Sequence, residues 1–498
     1  MKSTSFKYFS IAFFLSLFMA ISCKGPETTV VRQSPVTESA DTTATEDTTA
    51  GEPSAAFRQI NIGEINPILT LDPLFADNAG TMRAVQLVYE GLVRYNKDGS
   101  VIPGIAKKWT VAKDSLRYQF TLRNDVFYHD SNVFNSGIGR KLKSDDVKFV
   151  FERMAKNSVP KDAAQLFMPV MGFEPYYQEQ HNLLNPSKRV LNSIRGIQTP
   201  NDSTVVFNLV EKDPHFMQKL ASPYAVIYPR EAITDNNPNQ FKAVGTGPFT
   251  LSQQRGDSVY TFSKFKNYYD PQVPVANRVD VIVKKKEAEL FKAFVNGDIH
   301  VLPELGLQTL QGALNQKEEL RANYTSTYTL EEPKGASRYL LNYNPNSDMP
   351  KEMAHALAGM FDSTDTFEDL SGEMISFRSY PVLTQDSSYN ISPRDTVNIT
   401  GAEDSYSFHL MVKLRDKLQQ RDATLQVFEI FTPTRNTGLY TSHLLPFSDR
   451  KLAEKEEHTL VSFTVPHRVL YHGDIKNIHF NRFPWWIEMR TADFTSIQ

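Results

Sequence analysis

The chain has 498 residues, 54 Lys and Arg against 57 Asp and Glu, a formal net charge of −3 and a single cysteine. A near-neutral balance with no basic stripe excludes a nucleic-acid or polybasic membrane-binding surface. One cysteine excludes an internal disulfide and a thiolate metal cluster, so the fold must rest on its core.

The chain opens with Lys2 and Lys7, an apolar run from Phe9 to Ile21, and then Ser22 and Cys23. That run is about 13 residues, short of the roughly 20 a membrane-spanning helix needs, and the three-part pattern predicts a signal peptide over 1–22. Ala20-Ile21-Ser22-Cys23 resembles the lipobox of bacterial lipoproteins. The resemblance implies cleavage before Cys23 and a lipid on its sulfur; the structural alternative is a lone buried cysteine within an ordinary signal peptide. From Gly25 to Ala55 the residues are mostly Thr, Ser, Glu, Asp and Pro. Such a stretch cannot bury enough apolar surface to offset its ordering entropy, and 23–56 reads as a lipid-anchored, disordered tether. The remaining body of about 440 residues is long enough for two or three domains.

Within the body, "SLRYQFTLR" places Tyr118, Phe120 and Leu122 on one face of a strand, and "STVVFNLV" does the same with Val205, Phe207 and Leu209. Between them "KSDDVKFVFERM" predicts a helix with Ser144 as its cap, Asp145 and Asp146 in the first turn, and Val147, Val150, Phe151 and Met154 as its buried stripe. Further on, "RVDVIVKKKEAELFKAFVNGDIHVL" reads strand, helix, strand. Val279, Val281 and Val283 alternate, Phe291, Phe294 and Val295 line the helix, Gly297 ends it, and Ile299 to Leu302 return as a strand. This unit points to an α/β architecture.

Gly245-Thr246-Gly247 is half of a dinucleotide loop, but Pro248 follows at once and the downstream pattern is strand. A tight turn near a hinge fits better than a nucleotide site. His129-Asp130 has the residue types of a catalytic base and its partner, yet no nucleophile motif, phosphate loop or zinc-binding helix accompanies it. No catalytic residue, cofactor or metal site is expected.

Several segments, in order, resemble the extracellular solute-binding proteins of family 5, the dipeptide- and oligopeptide-binding components of ABC importers. These are "TLDPLFADNAGTMRAVQLVYEGLVRYNKDGSVIPGIAKKW", "YQFTLRNDVFYHDSNVF" with the helix after it, and "AVGTGPFTLSQQRGDSVYTFSKFKNYYD". The likeness is dense from Phe57 to Glu304 and thinner beyond. There "RYLLNYN" matches a strand entering the other lobe, "EMAHALAGMFDS" its next helix, and Ser379 to Leu383 the following loop. "SFHLMVKLRDKLQQRDATLQVFEI" matches a later helix and strand, with Phe408, Met411, Val412 and Leu418 on the buried stripe, and "HTLVSFTVPHRVLYHGDIKNIHFN" the final strands. Between Ile430 and Leu452 the family carries a longer stretch, including an aspartate that meets the ligand's ammonium; no residue here matches it.

The resemblance implies an α/β, two-lobed periplasmic-binding-protein-like fold (type II, cluster C-like) with a hinge and a central ligand cleft. Lobe I is expected at 57–335 with a subdomain at about 106–192, a shortened lobe II at 336–470, and a C-terminal return to lobe I at 471–498. It implies capture of a peptide or other small solute by a monomer that delivers it to ABC permease subunits, with the membrane reached only through lipid on Cys23. Lys24 in second position leaves outer-membrane sorting open beside a periplasmic-side anchor in the cell envelope. Glu64, Ile65 and Asn66 are the candidate main-chain edge of the cleft, or else simply continue a strand; Phe167 and Met168 are further candidates, with a place in the buried core as the alternative. Of Trp485 and Trp486, adjacent in an expected strand, at most one can face a cleft. The alternatives are the same scaffold holding a non-peptide solute, or a partner-binding lipoprotein without transport; a hydrolase using His129 is the remote one.

Overall fold

A computed structural model describes residues 58–183, 185–233, 241–315, 317–360, 391, 395–400, 405–428, 437–444 and 458–494. Cys23, the expected signal peptide and tether, and the loop Ser379 to Leu383 lie outside the described residues, as does most of Ile430 to Leu452.

The alternation in "QINIGE" makes Gln59–Glu64 a strand with Ile60 and Ile62 buried. It runs parallel to Arg278–Val283 on one side and to Val301–Leu302 on the other, at the centre of a seven-stranded sheet. Val259–Lys264 and Phe249–Arg255 extend one edge antiparallel, and Val469–His472 and Tyr328–Glu331 the other. The strand-helix-strand unit forms as expected, and Gly297 takes the left-handed φ of +83° that ends the Glu287–Val295 helix. Its buried face is Leu290, Ala293 and Phe294, however, and Val295 is exposed. With 3.6 residues per turn, Val295 rotates off the face that Leu290 and Phe294 share.

A four-stranded antiparallel sheet forms the subdomain, in the order Ala106–Val111, Arg117–Leu122, Thr204–Asn208, Ile197–Asn201. It therefore extends past residue 192 to take in the "STVVFN" strand, whose pairing with Arg117–Leu122 closes it. Val147, Val150, Phe151 and Met154 are all buried beneath the Ser144–Met154 helix. Ser144 does not cap that helix: its Oγ donates to the Asn201 carbonyl at 2.6 Å, tying the helix to the sheet. The cap comes from Asp146, whose carboxylate accepts the Lys143 amide at 2.9 Å and both terminal nitrogens of Arg140.

The second lobe is a five-stranded sheet ordered Thr424–Phe428, Thr396–Thr400, Leu439–Leu444, Ala336–Tyr343, Thr459–Pro466. The chain enters it between Glu331 and Ala336 and leaves it between Pro466 and Val469, so two adjacent crossings join the sheets. Each sheet has its own core. The second core also takes in Leu290, Phe294, Leu310 and Leu314, from sequence expected wholly in lobe I. On the Ser405–Gln419 helix the buried stripe is Leu410, Met411, Leu414 and Leu418, with Val412 half-buried. Phe408 is 63% exposed and faces away from it.

Candidate ligand-binding cleft

Gln59–Glu64 and the strands parallel to it end together, and open α/β sheets collect ligands at the carboxyl ends of such strands. At this end a cleft opens between the two sheets, enclosing about 910 Å³ of non-atom space that is partly open to solvent. From the first sheet Glu64, Ile65, Asn66 and Glu304 line it; from the second, Ser337, Tyr339 and Tyr406; and from the crossing, His467 and Arg468.

Its floor is a buried charge cluster. Arg83, the only charged residue in the Ala79–Val88 helix, donates through Nε and Nη2 to both carboxylate oxygens of Glu64 at 2.7 and 2.6 Å. Nη2 also reaches Glu304 at 2.8 Å, and Nη1 the Pro484 carbonyl at 2.5 Å. A guanidinium sharing its fork among three acceptors is charge-assisted and directionally fixed. Burial pushes the Glu64 carboxyl upward, against the pull of Arg83. Arg83 is itself depressed by burial, yet Glu64 and Glu304 more than offset this and hold its proton above the ordinary range.

Glu287 lies deeper in the same wall, where its Oε1 accepts the Thr309 amide at 2.6 Å. A Cβ on Gly306 would fall 2.4 Å from the Glu287 carboxyl carbon, so a glycine is required beside it. The crossings are pinned by polar bonds. His467 Nε2 meets Ser337 Oγ at 2.9 Å, and Arg468 Nε donates to Glu332 at 2.6 Å while its Nη2 pairs with Glu318. Gly335 packs so tightly that a Cβ would lie 2.0 Å from the Arg482 carbonyl oxygen.

Of the residues expected at a cleft, Ile65 and Asn66 line this one. Glu64 lines it too, but its carbonyl accepts the Lys284 amide and its carboxylate holds Arg83, so it offers a ligand no free edge. Phe167 is a correction: it is fully buried in the subdomain core, with ring centroids 4.9 Å from Phe151 and 6.4 Å from Phe216. Met168 is half-buried against the same core. Trp485 and Trp486 sit in and just after a turn rather than in a strand, and both are buried. Proline at 484 turns the chain, which frees both indoles from strand alternation, and Trp485 stacks on Phe483 at 5.0 Å. Neither lines the interlobe cleft.

His129 is a structural clamp. Its Nε2 donates to the Gly247 carbonyl at 2.9 Å and its Nδ1 accepts the Gly245 amide at 3.4 Å, which together fix the neutral tautomer. Burial lowers its pKa to about 4. Gly245 and Gly247 are required by contact with the end of the Ala79–Val88 helix: a Cβ at 245 would lie 2.0 Å from the Val88 carbonyl oxygen. Sequence reading missed Arg83, Glu304, Ser337, Tyr339, Tyr406, His467 and Arg468. Arg83 alone carried a signal, as a lone charge in "AGTMRAVQLV".

Residues 100–372, more than half of the chain, match the family model described as bacterial extracellular solute-binding proteins, family 5 Middle. The chain belongs to this family. It is 31% identical over 209 residues to di/tripeptide-binding protein 1 of Pseudomonas aeruginosa, a match covering 40% of this chain and 36% of that protein. It is also 27% identical over 247 residues to the nickel-binding periplasmic protein of Escherichia coli, covering 49% of this chain and 39% of that one. The matches thus span about a third of the length of such curated relatives. The structure of Listeria monocytogenes OppA bound to peptide aligns with a TM-score of 0.67 at 14% identity, over 89% of this chain and all of that one. That likeness is one of fold, and the fold is the two-lobed α/β architecture of the family's binding proteins. Among the described residues no helix is long and apolar enough to cross a membrane, and no group of three or more His, Cys, Asp or Glu is placed to hold a metal ion.

Proposed function

We propose that this chain is the substrate-binding lipoprotein of an ABC importer, capturing peptides in the interlobe cleft and presenting them to a membrane permease. The observation that carries the reading is the cleft itself, set at the carboxyl ends of parallel strands between two sheets joined, among the described residues, by two adjacent crossings. Such a pair of crossings suits rigid closure of one lobe on the other, which removes the ligand from water. Main-chain groups of an extended peptide can bond to irregular backbone at Ile65 and Asn66, while Tyr339 and Tyr406 give sequence-tolerant contact area. The Glu304 carboxylate, its side chain 41% exposed, biases the cleft toward a ligand bearing a positive charge. The clamp role of His129 supports binding rather than hydrolysis. Lipid on Cys23 would hold the protein on the envelope, with the folded body reaching the permease through the 23–56 tether.

The test is mass spectrometry of whatever the gently purified protein releases on denaturation, paired with thermal-shift titration of peptide mixtures. Recovered peptides and a concentration-dependent shift are expected. Protein that carries no peptide and shows no shift refutes the reading. The nickel-binding relative favours a second one, a non-peptide solute in the same cleft, which a non-peptide molecule in the released fraction would establish instead.

A further inference from the structure

A second cavity lies within the first lobe, sharing only Glu64 with the lining of the interlobe cleft. Two ions in its lining, Glu90 buried and Arg94 half-buried, each keep a buried polar atom without a hydrogen bond. Glu90 is 8% exposed; the hydroxyls of Tyr268 and Tyr269 both donate to its Oε1, at 2.6 and 3.1 Å, and its buried Oε2 has no hydrogen-bond partner. Arg94 is the second. Its buried Nε has no partner, and its Nη1 comes only to 3.7 Å from Glu488, a carboxylate already held by Nε and Nη2 of Arg490. Glu488 and Arg490 thus satisfy each other and leave Glu90 and Arg94 without a hydrogen-bonded counter-ion.

The energetics agree. Burial raises the Glu90 carboxyl despite the Tyr268 hydrogen bond and the charges of Arg490 and Arg94, and burial with the Arg490 charge lowers Arg94 despite Glu488 and Glu90, so an opposite charge brought in from outside would stabilise each ion further. An unmatched buried donor or acceptor is costly, more so when charged, which favours an occupant that supplies both partners. The remaining wall is apolar, with Tyr89, Tyr95, Trp485 and Trp486 set among aliphatic side chains. The cavity holds about 830 Å³, partly open to solvent and close to the 910 Å³ of the interlobe cleft, so its charges rather than its size select the occupant.

We propose that this cavity binds a small zwitterion, its ammonium at the open oxygen of Glu90 and its carboxylate at Arg94, against the indoles of Trp485 and Trp486. The site is independent of whatever the interlobe cleft holds, and any effect on transport would act through Glu64, which lines both.

Trp485 and Trp486 are two of the three tryptophans in the chain, so intrinsic fluorescence reports directly on the cavity. The full chain is titrated with L-alanine, with L-alaninamide as an ammonium-only probe and N-acetyl-L-alanine as a carboxylate-only probe. Alanine is expected to change the fluorescence with a Kd of about 1 mM or tighter, and both single-charge probes to bind at least about tenfold more weakly. Glu90→Gln, nearly isosteric, and Arg94→Gln, at a position that reaches solvent, should each weaken alanine binding at least about tenfold. Circular dichroism should show an unchanged fold, and affinity for the cleft ligand should be unaltered. No alanine signal, equal binding of the single-charge probes, or wild-type affinity in a folded variant each overturns the proposal.

Discussion

Replacing Arg83 by Met removes the one cation that faces the buried Glu64 carboxylate. Arg83 and Glu64 are both nearly inaccessible, with side-chain exposures of 3% and 5%, and the pair makes two hydrogen bonds of 2.7 and 2.6 Å. Met keeps most of the apolar volume, so the dominant loss is electrostatic. Breaking one partner of a buried pair costs about 3–5 kcal/mol, because the remaining charge is uncompensated. Glu64 can reduce that cost by taking up a proton. Its folded-state pKa is already raised by burial, and loss of Arg83 raises it further. The sign follows from proton binding. Where the folded form holds a proton that the unfolded form has lost, stability falls as pH rises. The deficit of Arg83→Met relative to wild type should therefore be smallest near pH 4 and grow with pH until Glu64 ionises in the folded variant. Urea denaturation followed by circular dichroism between pH 4 and 8 measures it. A deficit below about 1 kcal/mol at pH 7, or one that does not change with pH, would falsify the reasoning that this is a buried pair stabilised by mutual charge.

Two further predictions rest on the structure and one on the sequence. For His129, a folded pKa of about 4 against an ordinary 6.5 means that the unfolded chain binds more protons between those values, so its contribution is present above pH 6.5 and lost as pH falls toward 4. His129→Gln should flatten that acid-side loss, worth about 3 kcal/mol at full extent, in denaturation midpoints measured from pH 4 to 7. Gly245→Ala drives a Cβ against the Val88 carbonyl oxygen and should lower stability by about 1–3 kcal/mol, seen as a lower unfolding temperature; an unchanged value would mean the turn is not packed there. Cys23→Ser should move the protein from the membrane fraction to the soluble envelope fraction without changing ligand affinity, and continued sedimentation with membranes would rule out the lipid anchor.

Much of the fold was legible because it depends on local pattern. Alternating valines at 279, 281 and 283 specify a strand, and Val147, Val150, Phe151 and Met154 recur at helical spacing; both groups are buried where the pattern puts them. Gly297 adopts its left-handed conformation because few other residues do so at little cost. The resemblance in motif order also led to the family and the two-lobed fold.

What failed were assignments that depend on which neighbour a side chain meets. Val295 and Phe408 are apolar and close to the stripe, but the rotation of each helix against its sheet leaves them in solvent. Ser144 is a cap residue by type, yet the sheet beside it offers the Asn201 carbonyl, and Asp146 does the capping. The cleft was the least legible element. Its lining comes from segments near residues 65, 304, 337, 406 and 467, brought together only where the two sheets meet. Sequence alone determined which stretches become strands and helices, because backbone periodicity is a property of neighbours in the chain. Tertiary structure decided which charges face one another: Arg83 with Glu64 and Glu304, and Glu90 with no full partner. Such pairings join residues far apart in the chain, and their strength depends on the burial that only folding creates.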